Sequence, residues 1–301
     1  MSSTATSTHE PTAPRRPAHL TLTSPRRGLA SDVRREIRVL LRWPQLTLAA
    51  AVVALPSAVG LLFVVPGYAL IDELDLSSLL VGSAVPMAFP LLAAALAAPS
   101  MASELRHHFL ASTRTRTPVR RYLLAKVVAG GLLGFVVFAL AALVPIVVSF
   151  GVVPHMGLVQ FHPDTVLLTA EQVVGTRPGR YTFSQVFAAG PSLGPWLYAL
   201  LHAGWAGLNG ALYTVLPMVL LVVLRSPLLA LSAPLLGYHL GSFATALAGW
   251  DIFGPLTSVF PFTLAQQPMW TVLVPFTVLL TLTAVLLVSV LRSAPHRDVL
   301  S

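Results

Sequence analysis

The chain has 301 residues, of which 55% are hydrophobic and only 10% charged, and its mean hydropathy is +0.77. A soluble domain carries roughly 25% charged residues, so this composition excludes an ordinary soluble enzyme, a disordered chain and a collagen-like fibre. The formal charge of +8 is therefore a question of which side of a bilayer the basic residues occupy, and the absence of cysteine excludes disulfides, thiolate metal sites and cysteine nucleophiles.

Residues 1–30 are rich in Ser, Thr, Pro and Arg without apolar periodicity and read as a disordered basic cytoplasmic tail. The arginine pairs at 15–16 and 26–27 invite a twin-arginine export reading, but the apolar run that follows is too long for a signal-peptide core. Residues 31–43 differ from the tail. Val33, Ile37, Leu40 and Leu41 share one helical face, while Arg34, Arg35, Arg38 and Arg42 take the other. A basic amphipathic helix ending in Trp43 fits the cytoplasmic membrane interface. A plain extension of the first span is the alternative.

Six uncharged windows follow, each long enough to cross about 30 Å of hydrocarbon. They are Pro44–Val65, Leu79–Met101, Val127–Val153, Leu197–Leu224, Pro227–Trp250 and Met269–Leu291. Basic residues set the orientation. Eight lie before the first window, and Arg106, Arg114, Arg116, Arg120, Arg121 and Lys126 lie between the second and third. Arg225 follows the fourth, and Arg292 and Arg297 follow the sixth. Only Arg177 and Arg180 fall on the other face, so the positive-inside rule puts both termini in the cytoplasm. The expected architecture is an all-α membrane protein of the plasma (inner) membrane: an interfacial helix, a multi-pass domain over 31–292 and a short cytoplasmic tail at 293–301.

Each window holds proline: Pro56, Pro86 with Pro90, Pro145, Pro217, Pro234 and Pro275. Small residues recur four apart, as Gly130/Gly134, Ala203/Gly207/Ala211 and Gly237/Gly241, where helices can approach closely. Asn209 is placed to bond across an interface. The outside segment Pro154–Trp196 holds turn signals and the alternating stretch YTFSQVF. Asp251–Pro268 is too apolar for a solvated loop and is broken by Pro255 and Pro261, so it reads either as short re-entrant helices or as an interfacial loop.

Reactive chemistry is scarce. The single lysine, Lys126, does not sit in a Walker A loop, so the chain cannot bind ATP through a P-loop. Tyrosines aside, His202 and His239 are the only ionisable groups inside the windows, and such histidines more often bond one helix to another than carry protons. Gly190–Gly194 reads G-x-S-x-G, which with His202 or His239 as base would make Ser192 the nucleophile of an intramembrane serine protease; its two prolines and the lack of a preceding strand favour a turn. His155, His162 and Asp164, or Asp72, Glu73 and Asp75, lack a fourth ligand or a regular spacing and read as solvated loop residues, not a metal site.

The segment ELRHHFLASTRTRTPVRRYLLAK, Glu104–Lys126, is the one sizeable connector on the basic face. Together with the leading helix it resembles the permease subunits of ABC exporters of the second class. In that family a Glu closes span two and a Thr-Pro…Arg…Lys pattern leads into span three; Glu104, Thr117, Pro118, Arg120 or Arg121, and Lys126 match. His107 and His108 depart from the family's small residue, the Pro-to-Lys spacing is compressed, and the outside loop is longer than the family minimum.

The resemblance implies a transport subunit rather than an enzyme, with no cofactor in this chain. It implies a cytoplasmic ATP-binding subunit docked on a coupling loop that includes Glu104, Arg106, Thr117, Pro118, Arg120, Arg121 and Lys126. A second permease copy, in a homo- or heterodimer, and membrane lipids are the other expected partners, and nucleic acid is not. In this layout Arg34, Arg35, Ile37, Arg38 and Leu41 belong to the interfacial helix. A non-transporting membrane scaffold or immunity protein is the remaining alternative.

Overall fold

The computed structural model describes residues 28–65, 70, 73–82, 85–106, 119–157, 159, 194–224, 226–261 and 269–293. Ten α-helices occur among them, and no β-strand. They are α1 (Leu29–Leu40), α2 (Trp43–Val59), α3 (Glu73–Gly82), α4 (Val85–Arg106), α5 (Val119–Val147), α6 (Val153–Met156), α7 (Gly194–Val223), α8 (Pro227–Leu247), α9 (Pro255–Val259) and α10 (Met269–Ser293). Among the described residues, six helical stretches are long and apolar enough to cross a membrane: Trp43–Phe63, Val85–Arg106, Val119–Met156, Ala199–Val223, Pro227–Leu247 and Trp270–Ser293. The chain is an all-α, multi-pass membrane protein.

Two boundaries differ from the sequence reading. The second crossing starts at Val85, because Leu79–Gly82 belongs to the separate helix α3; Pro86 therefore stands in the first turn of α4, where its missing N–H costs nothing, rather than in a span interior. The third crossing starts at Val119, so Arg120, Arg121 and Lys126 lie on helix α5 and not in a loop. Glu104 and Arg106 are likewise on the last turn of α4. The tail at 1–27, the segment 161–193 with YTFSQVF, and residues 294–301 lie outside the described residues.

The core is layered along the bundle. At the end that carries the basic residues, Leu40, Met101, Leu123, Met218, Val222, Ala230 and Val290 pack together, so α1 is held on the bundle with Val33 and Ile37 against the same cluster. The middle layer centres on Phe89, whose ring lies 4.7 Å from Phe138, 5.1 Å from Tyr213 and 5.4 Å from Phe260 in edge-on arrangements. At the far end Leu76 and Leu80 of α3 pack with Val65 and Val153.

The helix pair α5 and α7 forms the closest contact. A Cβ added at Gly210 would stand 2.7 Å from the Phe138 Cβ, and one at Gly207 2.9 Å from the Phe135 carbonyl oxygen. With no hydrophobic drive between helices in lipid, such small-residue contacts let backbones meet and gain dispersion energy. Gly130 and Gly134 serve this pair as their spacing predicts, and Gly241 meets Pro255 of α9. Gly237 differs, because nothing lies within 4 Å of its added Cβ. Pro56 and Pro145 are each followed within a turn by π-helical backbone, Gly60–Val64 and Val148–Val152, where the ladder broken by the missing N–H re-registers.

After α8 the chain reverses through Gly249, whose φ of +71° suits glycine. It then forms a 3-10 turn at Asp251–Phe253 and the short helix α9, whose Ser258 and Val259 are buried. Short helices are thus present in the apolar segment as far as Val259; residues 262–268 lie outside the described residues. The Trp205 indole N–H donates to the Ser258 carbonyl oxygen at 2.7 Å, and the Ser258 hydroxyl donates to Val272 O at 2.7 Å, pinning α9 between α7 and α10.

Candidate functional site: a buried ionic clamp

Three helices converge where the basic-face connector leaves and re-enters the bundle. The end of α4 brings Glu104, the first two turns of α5 bring Arg121, Tyr122 and Lys126, and α1 lies across them with Asp32 and Glu36 one turn apart. That i, i+4 spacing places both α1 acids on one face.

Lys126 is the hub and is 1% exposed. Its ammonium donates to Glu104 Oε1, stands 3.5 Å from Glu36 Oε2, and reaches the Tyr122 hydroxyl at 3.4 Å. The Tyr122 hydroxyl donates in turn to the second Glu104 oxygen, Oε2. On the outer side Arg35 Nη2 pairs with Glu36 Oε1 at 3.1 Å, and Arg121 Nε donates to Asp32 Oδ2 at 2.7 Å. Arg120 reaches the last turn of α10 through the Arg292 carbonyl oxygen at 3.4 Å. Two carboxylates are thus balanced by Lys126 and Arg35, which makes burial of the set tolerable; a buried charge without a partner is strongly destabilising.

Beside the clamp lies a polar cavity of about 590 Å³ lined by Arg35, Arg42, Gln45, Ser100, Ser103 and Glu104 among others. It gives Glu104 partial access to solvent, with 23% of its side chain exposed, whereas Glu36 keeps only 6%.

The structure brings together part of the expected site. Glu104, Arg121 and Lys126 join the clamp directly. Arg106 and Arg120 are exposed at the two helix ends that flank the connector, and Thr117 and Pro118 lie outside the described residues. On α1, Arg34, Arg35 and Arg38 are exposed and Ile37 packs inward as the face predicts, but Leu41 is 45% exposed. It is the C-cap of α1 and leaves the helical face. Sequence reasoning passed over Asp32, Glu36 and Tyr122. The signal was available: Asp32, Glu36 and Glu104 are the only acids between the tail and span three on the face that carries nearly all the arginines.

No protein-family model, no curated protein and no solved structure matches the chain. Its chemistry rests on its own geometry.

Among the described residues no three His, Cys, Asp or Glu side chains come together as a metal site would need. His239 bonds the Met87 carbonyl oxygen at 3.0 Å, joining α8 to α4. Asn209 donates to the Trp205 carbonyl of its own helix rather than across an interface. Ser192, His162, Asp164 and Asp72 lie outside the described residues.

Proposed function

We propose that this chain is the membrane permease subunit of an ATP-driven exporter, working as a dimer with itself or with a second permease and docking a separate ATP-binding subunit on the connector between α4 and α5. The observation that carries the reading is the clamp. Both roots of that connector are tied to each other through Glu104 and Lys126, and to α1 through Glu36 and Asp32. A push on the connector from the cytoplasm is therefore delivered to three helices at once, and through Arg120 toward α10. The bundle supplies no P-loop lysine, so in this reading the work comes from the ATP-binding subunit. In this reading the basic face is cytoplasmic, α1 lies in the membrane interface with Arg34, Arg35 and Arg38 toward lipid headgroups, and the membrane is the plasma (inner) membrane.

The test is co-purification. The tagged chain isolated in mild detergent brings down a nucleotide-binding subunit, and substituting the exposed Arg106 and Arg120 by Glu lowers its recovery. Replacing Glu104, Arg120 and Arg121 together leaves ATP hydrolysis running without export. Solute movement across liposomes by the purified chain alone, with no nucleotide consumed, overturns the proposal.

A further inference from the structure

The clamp accounts for only some of the groups that line the polar cavity between α1, α2 and α4. Glu36 is met by Arg35 and Lys126, and Glu104 by Lys126 and the Tyr122 hydroxyl, so both carboxylates already have donors on the protein. Arg42, Ser100 and Ser103 line the same cavity and have no hydrogen bond or ion pair among the described residues. Ser100 and Ser103 stand three residues apart on α4 and so share a face. Arg42 comes from a second helix, as the N-cap of α2. One guanidinium and two hydroxyls therefore reach a single space, and none of these three side chains is buried. The space, about 590 Å³, is within the range of small-molecule sites.

Charge sets the sign of the occupant. Arg35, Arg42 and Lys126 stand against Glu36 and Glu104, three cations to two anions. The surplus is one positive charge, and it sits on Arg42, the cation without a carboxylate. A metal ion or an amine is disfavoured there, whereas a group with one negative charge is balanced. Guanidinium and hydroxyl donors suit phosphate oxygens, which the N–H fork of arginine meets in pairs.

Position sets the source. Trp43, next to Arg42, is 81% exposed, and Leu46 is 41% exposed. An exposed indole and an aliphatic side chain beside a basic group mark the level where headgroups give way to acyl chains. A soluble phosphate compound makes no use of that apolar flank. We infer that this cavity is a headgroup site for a phospholipid of one net negative charge. Arg42, Ser100 and Ser103 bond its phosphodiester oxygens, and its acyl chains run past Trp43 and Leu46. The inference rests on the interfacial placement of α1 in the proposed function and not on an ATP-binding partner, so a failed co-purification leaves it standing.

The test is native mass spectrometry of the purified full chain in mild detergent, titrated with dioleoyl phosphatidylglycerol. A saturable lipid is expected to bind ahead of dioleoyl phosphatidylcholine and dioleoylglycerol, and inorganic phosphate is expected not to displace it. Arg42→Gln should weaken that binding roughly tenfold or more, the worth of a hydrogen bond to a charged group. Ser103→Glu places a further acid in the cavity at an exposed position and should abolish it, so the test stands if the first variant fails to fold. Arg292→Gln removes the same charge from an exposed residue of the basic face outside the cavity, and should leave binding close to that of the parent. An equal loss in Arg292→Gln would reduce the binding to general surface attraction and overturn the inference. So would equal binding of either uncharged lipid, binding that never saturates, or full affinity in both cavity variants. Displacement by inorganic phosphate would make the occupant a soluble anion and overturn it too.

Discussion

Replacing Lys126 by Met keeps the length and apolar stem of the side chain and deletes only the charge. Glu36 and Glu104 then face one another without their shared cation, one with 6% and the other with 23% of its side chain exposed. Breaking a buried ion pair from one side costs about 3–5 kcal/mol, because the remaining charge is left unpaired. The partial exposure of Glu104 and the Arg35 contact to Glu36 at 3.1 Å place the cost at the lower end, about 3 kcal/mol. For chains of 150–250 residues each kcal/mol moves the thermal midpoint by about 2–4 °C, so Lys126→Met should lower it by roughly 6 °C in mild detergent, read by loss of the monodisperse peak after heating. The decisive comparison is the triple variant Lys126→Met, Glu36→Gln, Glu104→Gln, which removes all three charges and should recover most of the loss, since a neutral replacement of a buried ionic set is often tolerated. A single variant as stable as the parent, or a triple variant worse than the single, would refute the idea that Lys126 neutralises these two acids.

Gly210→Ala forces a methyl to 2.7 Å from the Phe138 Cβ and should destabilise by about 1–3 kcal/mol through overpacking, seen as a lower thermal midpoint. The same change at Gly237 meets nothing within 4 Å and should leave the midpoint unchanged or slightly raised. Trp205→Phe deletes the indole N–H bonded to Ser258 O and should cost about 1–3 kcal/mol. It should also speed hydrogen exchange in α9 while leaving α1 protected. Arg121→Ala removes the 2.7 Å tie to Asp32 of α1. Because both side chains are partly solvated the loss should be near 1 kcal/mol, measured as faster protease cleavage between α1 and α2.

The crossings were legible because a run of twenty uncharged residues has few other uses. Their ends were not, and the reason is specific. Charge marks the edge of a span only when the charge must reach water. Lys126 lies two turns inside α5 because Glu36 and Glu104 meet it there, so the helix runs back to Val119 through residues that a hydropathy window assigns to a loop. Likewise Leu79–Gly82 joined the second window by composition, yet the chain divides there into α3 and α4. The clamp was half legible. Glu104 and Lys126 were found by their pattern, but Glu36 shares the segment 31–43 with four arginines, where its sign was lost in theirs. Only its inward direction, opposite the exposed Arg34, Arg35 and Arg38, separates it from an ordinary surface acid.

The single lysine has a further consequence. With its ammonium sealed among Glu36, Glu104 and Tyr122, the natively packed chain offers acylating reagents no side-chain amine, whatever its concentration of arginine. Any enzyme or dye that modifies lysine must wait for α1 to lift and α5 to open. Covalent capture at Lys126, whether by acetylation, by a ubiquitin-type conjugate or by an amine-reactive fluorophore, would thus mark damaged copies and pass over sound ones.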